Sequence, residues 1–247
     1  MNHLDGVRLA RATLLMGLGL VIAKLLVTGQ MHYYLSAGLD WLSVVTGVLL
    51  AAMGAVELRR SLQAPGRESV GLDGMVTLGI LAVPLLLGLT YTPRGLNSAA
   101  LGGTPATQLV LAFDAGPPAS ADVAPPAPRR PIDDVADLLG YLRQAGQAGV
   151  GQYIRVRGLV AHDDDLAADQ FVLLRYSIVH CVADAQPLGF LVLNARPTAD
   201  GRWASDQWVE IDGTLATQPR GSDHLVAIQA DQIRASEEPL EPYVSGF

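Results

Sequence analysis

Residues 12–30 read ATLLMGLGLVIAKLLVTGQ, with Lys24 as the one charge among them. A second apolar run covers 39–56, with Asp40 near its start and Glu57 just past its end, and a third, 74–92, has no charge at all. A bilayer core is about 30 Å thick, so a helix of about 20 largely apolar residues crosses it. All three runs satisfy that length, and residues 1–94 read as a region of three transmembrane helices. A cleaved signal peptide is a poorer reading of the first run. No small-residue cleavage site follows it, and a second apolar run starts about ten residues later.

Basic residues in short flanking loops set orientation. Arg8 and Arg11 precede the first run, the loop at 30–38 has no Lys or Arg, and Arg59, Arg60 and Arg67 follow the second. The expected arrangement is a multi-pass protein of the plasma (inner) membrane. Its N-terminus is cytoplasmic, and everything after the third helix is extracytoplasmic, with Arg94 opposing. Lys24 lies inside a span, where a buried ammonium is costly unless it pairs or reaches a headgroup. Asp40 is its candidate partner in an intramembrane polar contact, and snorkelling of the lysine stem is the equal alternative. Gly17 and Gly19 lie in the same run, where close helix packing accounts for them. Pro84 is a kink candidate in the third run.

Composition changes at residue 95. Residues 95–130 are rich in Ala, Gly and Pro and end in GPPASADVAPPAPRR. They read as a spacer with too little apolar surface to order itself. Within it the short apolar run 108–113 is able to pair as a strand with some other element. Residues 131–247 read as a separate extracytoplasmic β domain. A helix opens at Pro131, with Ile132, Val135, Leu138, Leu139 and Leu142 at helical spacing and Asp133, Asp134 and Asp137 on its first turns; Gly146 and Gly149 close it. Five strands follow, over 153–160, 171–181, 189–193, 207–217 and 224–233, separated by HDDDLAAD, ARPTADGR and QPRGSD. Gly158 and Gly213 suit bulges where strands bend. Five short strands with glycine bends predict an OB-like five-stranded barrel with one preceding helix.

Charge removes one function such a barrel often carries. Residues 131–247 hold eight basic and seventeen acidic residues, a net of −9. Binding nucleic acid needs clustered cations, and single-strand binding needs a basic groove with aromatic stacking platforms. No nucleic acid partner is expected. No phosphate-cradling loop, nucleophile elbow or HExxH motif occurs, and the expectation is a protein without catalytic activity.

The segment His180-Cys181-Val182-Ala183-Asp184 is the one cluster with ligand chemistry. Thiolate, imidazole and carboxylate suit a divalent metal, and His162, beside Asp163, Asp164 and Asp165, is able to add a ligand. Because neighbouring strand residues point to opposite faces, the chain must turn for His180 and Cys181 to share an ion. A packed free cysteine beside a turn capped by Asp184, a metal site, and a redox or nucleophilic thiol all stay open.

The chain also resembles a known family, the YcgQ-type proteins, described as permease subunits of a two-component system. The resemblance rests on Lys24-Leu25-Leu26-Val27-Thr28-Gly29 with Tyr34, and on Leu87-Gly88 through Pro93 into Leu96-Asn97-Ser98-Ala99-Ala100. It continues in Ile132-Asp133-Asp134, Gly158-Leu159-Val160, Phe171 and Arg175. The most specific stretch is Cys181-Val182-Ala183-Asp184-Ala185-Gln186-Pro187-Leu188-Gly189. Trp208-Val209 with Gly213, and Pro239-Leu240-Glu241-Pro242-Tyr243-Val244, complete it. It implies an accessory subunit, anchored in the lipid bilayer beside a multi-span membrane permease of the YcgR type. Such proteins often have His- or Cys-rich sequence between the second and third spans. Here that loop is LRRSLQAPGRESVGLDG, with neither, a departure that argues against metal transport.

Overall fold

The apolar runs form helices. α1 spans Gly6–Val27, α2 spans Asp40–Gln63 and α3 spans Leu72–Thr90, with Pro84 inside α3. The computed structural model describes residues 6–63, 72–113, 132–196, 202–220 and 223–245. The chain divides into two units, Met1–Arg94 and Gly95–Phe247.

In the first unit, α1 and α2 pack closely through small residues. A Cβ on Gly19 would lie 3.2 Å from the Gly47 carbonyl oxygen, and one on Gly54 would lie 3.1 Å from that of Ala12. Helices in lipid associate through such small-residue approaches. Two stretches among the described residues, Arg8–Val27 and Ala37–Gln63, are long and apolar enough to cross a membrane. Only 17% of the first and 11% of the second apolar window is buried within the chain, which is not the burial of a core helix. Three spans were expected. The third expected run coincides with α3, some of whose side chains lie outside the described residues, so the described part of the chain supports two.

The second unit is a closed five-stranded barrel with additions. β1 covers Ala112–Phe113, α4 Val135–Ala145, β2 Tyr153–Ala161, β3 Phe171–Ile178, β4 Gln186–Leu193, β5 Trp208–Arg220, β6 Asp223–Ala235 and β7 Tyr243–Ser245. β2 pairs antiparallel with both β3 and β5, β3 with β4, and β5 with β6. The parallel pairing of β4 with β6, Leu191 opposite Ala227, closes the ring. Closure removes free sheet edges. Gly213 sits where the β5–β6 register shifts, and a side chain there would meet the Gln229 backbone. The expected bulge is therefore present at Gly213, whereas Gly158 lies in unbroken register opposite Val209.

The barrel interior is filled by Ile154, Val156, Phe171, Leu173, Phe190, Val192, Val209, Ile211 and Ile228, with Leu138, Leu139 and Leu142 of α4 in the same cluster. α4 starts later than the helix expected from Pro131. Asp134 stays extended, and its carboxylate takes the Ala136 N–H at 3.0 Å, which makes it the N-cap.

A second cluster joins Val172, Leu174, Tyr176 and Ile178 of β3 to Leu191, Leu225 and Ala227. β3 is thus buried at every position. What covers this outer side is the segment 95–113, read from composition as the start of a spacer. Leu96, Leu101, Ala106, Leu109 and Val110 pack into the cluster. β1 pairs with β6, and Leu111 N–H donates to the Gly189 carbonyl at 3.0 Å. The remainder of the expected spacer, 114–130, lies outside the described residues.

Candidate functional site

β3 ends at Ile178 rather than at Cys181, because a turn built on Asp184 starts there. The Asp184 carboxylate accepts the N–H groups of Val179 at 2.9 Å, His180 at 2.9 Å and Cys181 at 3.2 Å. These bonds, led by that from Val179, hold its carboxyl below the usual range. The exposed His180 imidazole lies 3.3 Å from the same carboxylate, and Cys181 is a half-buried free thiol.

His162 is held elsewhere. Its Nε2 lies 2.7 Å from the Trp203 carbonyl oxygen and its ring meets Phe171 edge-on. A carbonyl only accepts, so Nε2 carries the proton. Its neighbour Asp163 accepts the Thr107 N–H at 2.6 Å. Burial works against charge on Asp163, but hydrogen bonds from Thr107 and Ala106 prevail and its carboxyl lies below the usual range. The expected metal set of Cys181, Asp184, His180 and His162 is not assembled. Among the described residues no three His, Cys, Asp or Glu side chains converge on a common point. The reason is visible in the turn, where the carboxylate that would bind the ion is occupied by backbone amides.

Within the first unit, Lys24 donates to the Gly88 carbonyl of α3 across 3.4 Å. No ion pair joins it to Asp40 among the described residues, and the Asp40 Oδ1 atom is buried without a hydrogen bond. The polar contact of Lys24 is therefore to a helix backbone rather than to the expected carboxylate.

Oligonucleotide-binding barrels of this kind use the face of their second and third strands with the flanking loops. Those strands are β3 and β4 here, and their outer side is occupied by the chain's own 95–113 segment. Thr107 is gripped twice there: its N–H by Asp163, and its carbonyl by Arg220 at 2.8 Å. A cleft of about 260 Å³ remains between this segment and the loop ends, reached by Asp165, Gln170, Gln218 and Arg220.

A second cavity, of about 290 Å³, is lined by Asp133, Asp134, Arg157, Arg175, Pro239 and Glu241. Arg175 is 5% exposed. Among the described residues its Nη2 donates to the Glu241 carbonyl at 3.5 Å and its Nε has no partner; its guanidinium lies 5.2 Å from the Trp208 ring centroid. Burial pushes this guanidinium below its ordinary range, with Asp134 opposing and Arg157 adding to the effect. Arg157 itself is paired with Glu210 at 2.9 Å. Nothing in the local sequence around Arg175 marks this place. The wall comes from four separate stretches of chain that the closed barrel brings together.

Two family models match the chain. The DUF1980 N-terminal domain matches residues 10–104 and the DUF1980 C-terminal domain matches 133–245. The UPF0703 protein YcgQ of Bacillus subtilis is 31% identical over 98 residues, which is 38% of this chain and 33% of that relative. The alignment thus spans about a third of the length of the relative it matches.

Proposed function

Since the chain belongs to the YcgQ-type family, with both DUF1980 domains in order, we propose that it is a non-catalytic accessory subunit of a two-component permease. In this reading α1, α2 and α3 all span the membrane beside a separate multi-span partner of the YcgR type. The acidic barrel stands on the extracytoplasmic side, where it contacts the permease or its substrate.

The observation that carries the reading is the outward-facing surface of the helices. Leu20, Val48, Leu49, Met53, Ile80 and Leu86 are all more than half exposed. Four hydroxyls on or at the end of these helices bond to their own backbones: Thr13 to Leu9, Thr28 to Lys24, Thr46 to Leu42 and Thr90 to Leu86, at 2.8–2.9 Å. Hydroxyls bonded to their own helix and apolar side chains facing outward suit hydrocarbon or other helices. The Lys24 ammonium has a carbonyl partner within the first unit. Arg59 and Arg60 at the end of α2 favour the cytoplasm.

Purification of the tagged full chain in mild detergent tests the partnership, and the expected result is co-elution of a multi-span protein of the YcgR type. Protease added to intact spheroplasts should remove the barrel. A barrel left intact, or a chain that stays in the supernatant after ultracentrifugation without detergent, would overturn the reading.

A further inference from the structure

We propose that the cavity around Arg175 binds a small zwitterion, a carboxylate and an ammonium on one compact molecule such as glycine, alanine or serine. Arg175 is 5% exposed and, among the described residues, has no carboxylate within ion-pair distance. A charge removed from water is normally matched by a counter-charge and by hydrogen bonds to its remaining protons. Among the described residues Arg175 has one long contact to a backbone carbonyl and an aromatic ring beside it, and its Nε–H has no acceptor. The planar guanidinium fork is matched best by a carboxylate received through two parallel N–H···O bonds.

The rest of the cavity selects what accompanies that carboxylate. Asp133, Asp134 and Glu241 line it, and the one other cation among the described lining residues, Arg157, is engaged by Glu210. Three carboxylates disfavour phosphate and any multiply charged anion. The guanidinium disfavours a bare metal cation. A molecule with a single negative end on Arg175 and a positive end towards Asp133 and Glu241 satisfies both sets of charges. A volume of about 290 Å³ holds such a molecule with a short side chain. Asp134 is the least available of the three, since it caps α4 through the Ala136 N–H. This inference concerns the barrel alone and does not depend on the permease reading.

The test uses the full chain in detergent with glycine, L-alanine and L-serine as probes, followed by ligand-observed NMR and by thermal shift. Acetate and methylammonium serve as the two half-ligands, and N-acetyl-alanine as a probe lacking the ammonium. At least one of the three amino acids should bind, with acetate, methylammonium and N-acetyl-alanine each weaker by about tenfold or more. Arg175→Gln should abolish binding. Asp133→Asn and Glu241→Gln alter exposed side chains and should fold normally. They should weaken the amino acid by about tenfold while leaving acetate binding unchanged, which decides the matter even if Arg175→Gln fails to fold. Failure of all three amino acids to bind, acetate binding as tightly as alanine, or full binding in both Asp133→Asn and Glu241→Gln would each overturn the proposal. The last of these results would leave Arg175 as a structural cation.

Discussion

The Tyr176 hydroxyl donates to the Asn97 carbonyl oxygen across 2.7 Å, joining the middle of a barrel strand to a residue only seven positions beyond α3. The Tyr243 hydroxyl receives the Leu96 N–H at 3.2 Å beside it. Two tyrosines on paired strands, β3 and β7, therefore fix the point where chain leaving the first unit enters the second. Removing one of them tests how firmly the segment is held.

Tyr176→Phe keeps the ring in its cluster and deletes the donor, leaving the Asn97 carbonyl unpaired. The expected loss is about 1–2 kcal/mol of barrel stability, read by urea unfolding through tryptophan fluorescence. The same variant has a pH signature. Burial, with Asp206 and Tyr243 adding to it, pushes the Tyr176 hydroxyl up to about 12. The folded pKa thus exceeds the unfolded value of about 10. Stability from this group is complete below about pH 10 and declines as pH rises towards 12. Tyr176→Phe should flatten that alkaline decline, and an unchanged profile would show that the hydroxyl is not buried as described.

Gly189→Ala tests the close approach of the 95–113 segment. A Cβ there would lie 3.0 Å from the Leu109 carbonyl carbon and oxygen, both backbone atoms. The segment must move outward, and overpacking of this sort costs about 1–3 kcal/mol. Hydrogen exchange should quicken at the amides of Leu111 and Val226, which donate to Gly189 and Leu111 respectively. Amides of β2 paired with β5 should keep their protection.

Much of this architecture was legible because its signals are local. Alternation in 153–160 and 207–217, glycine at 213 and turn residues between runs place five strands within a few residues of where they lie. β3 is buried along its whole length, Arg175 and Ser177 included. What covers it was not legible. Residues 95–113 look like a spacer by composition, and Leu96, Leu101, Leu109 and Val110 gain their partners only when a distant barrel presents its outer face. The Arg175 cavity is hidden for the same reason. Arg175 sits inside an apolar strand, and Asp133, Arg157 and Glu241 are remote in sequence. The Cys181 cluster left three readings open in the sequence, and the structure shows one of them, a turn capped by Asp184.

Asp212→Asn tests the charge ladder on the barrel wall. Asp212 receives Arg155 at 2.6 Å and Arg234 at 2.6 Å, and Glu210 receives Arg234 at 2.7 Å and Arg157 at 2.9 Å. Burial alone would raise the Asp212 carboxyl, but hydrogen bonds from Arg155 and Arg234 prevail and hold it below its usual range. Bonds from Arg234 and Arg157 do the same for Glu210. Depressed carboxyl pKa values give stability that is present above about pH 4 and lost as pH falls through the lower folded values. The variant should lose about 2 kcal/mol at neutral pH, and its acid unfolding should be shallower than that of the unaltered chain.

Asp184→Ala removes the acceptor of three backbone N–H groups in the turn that carries Cys181. With those amides released, the half-buried sulfur gains access to solvent, and maleimide should label Cys181 several-fold faster than in the unaltered chain. Asp184→Asn keeps one acceptor oxygen in place and should fall between the two. Because the same carboxylate is committed to backbone amides, it is a poor metal ligand. Equilibrium dialysis of the full chain in detergent should accordingly retain no more zinc than a Cys181→Ser control. Zinc held by the unaltered chain and released by Cys181→Ser would mean that the turn opens to bind an ion, and labelling of Cys181 would then slow when zinc is added.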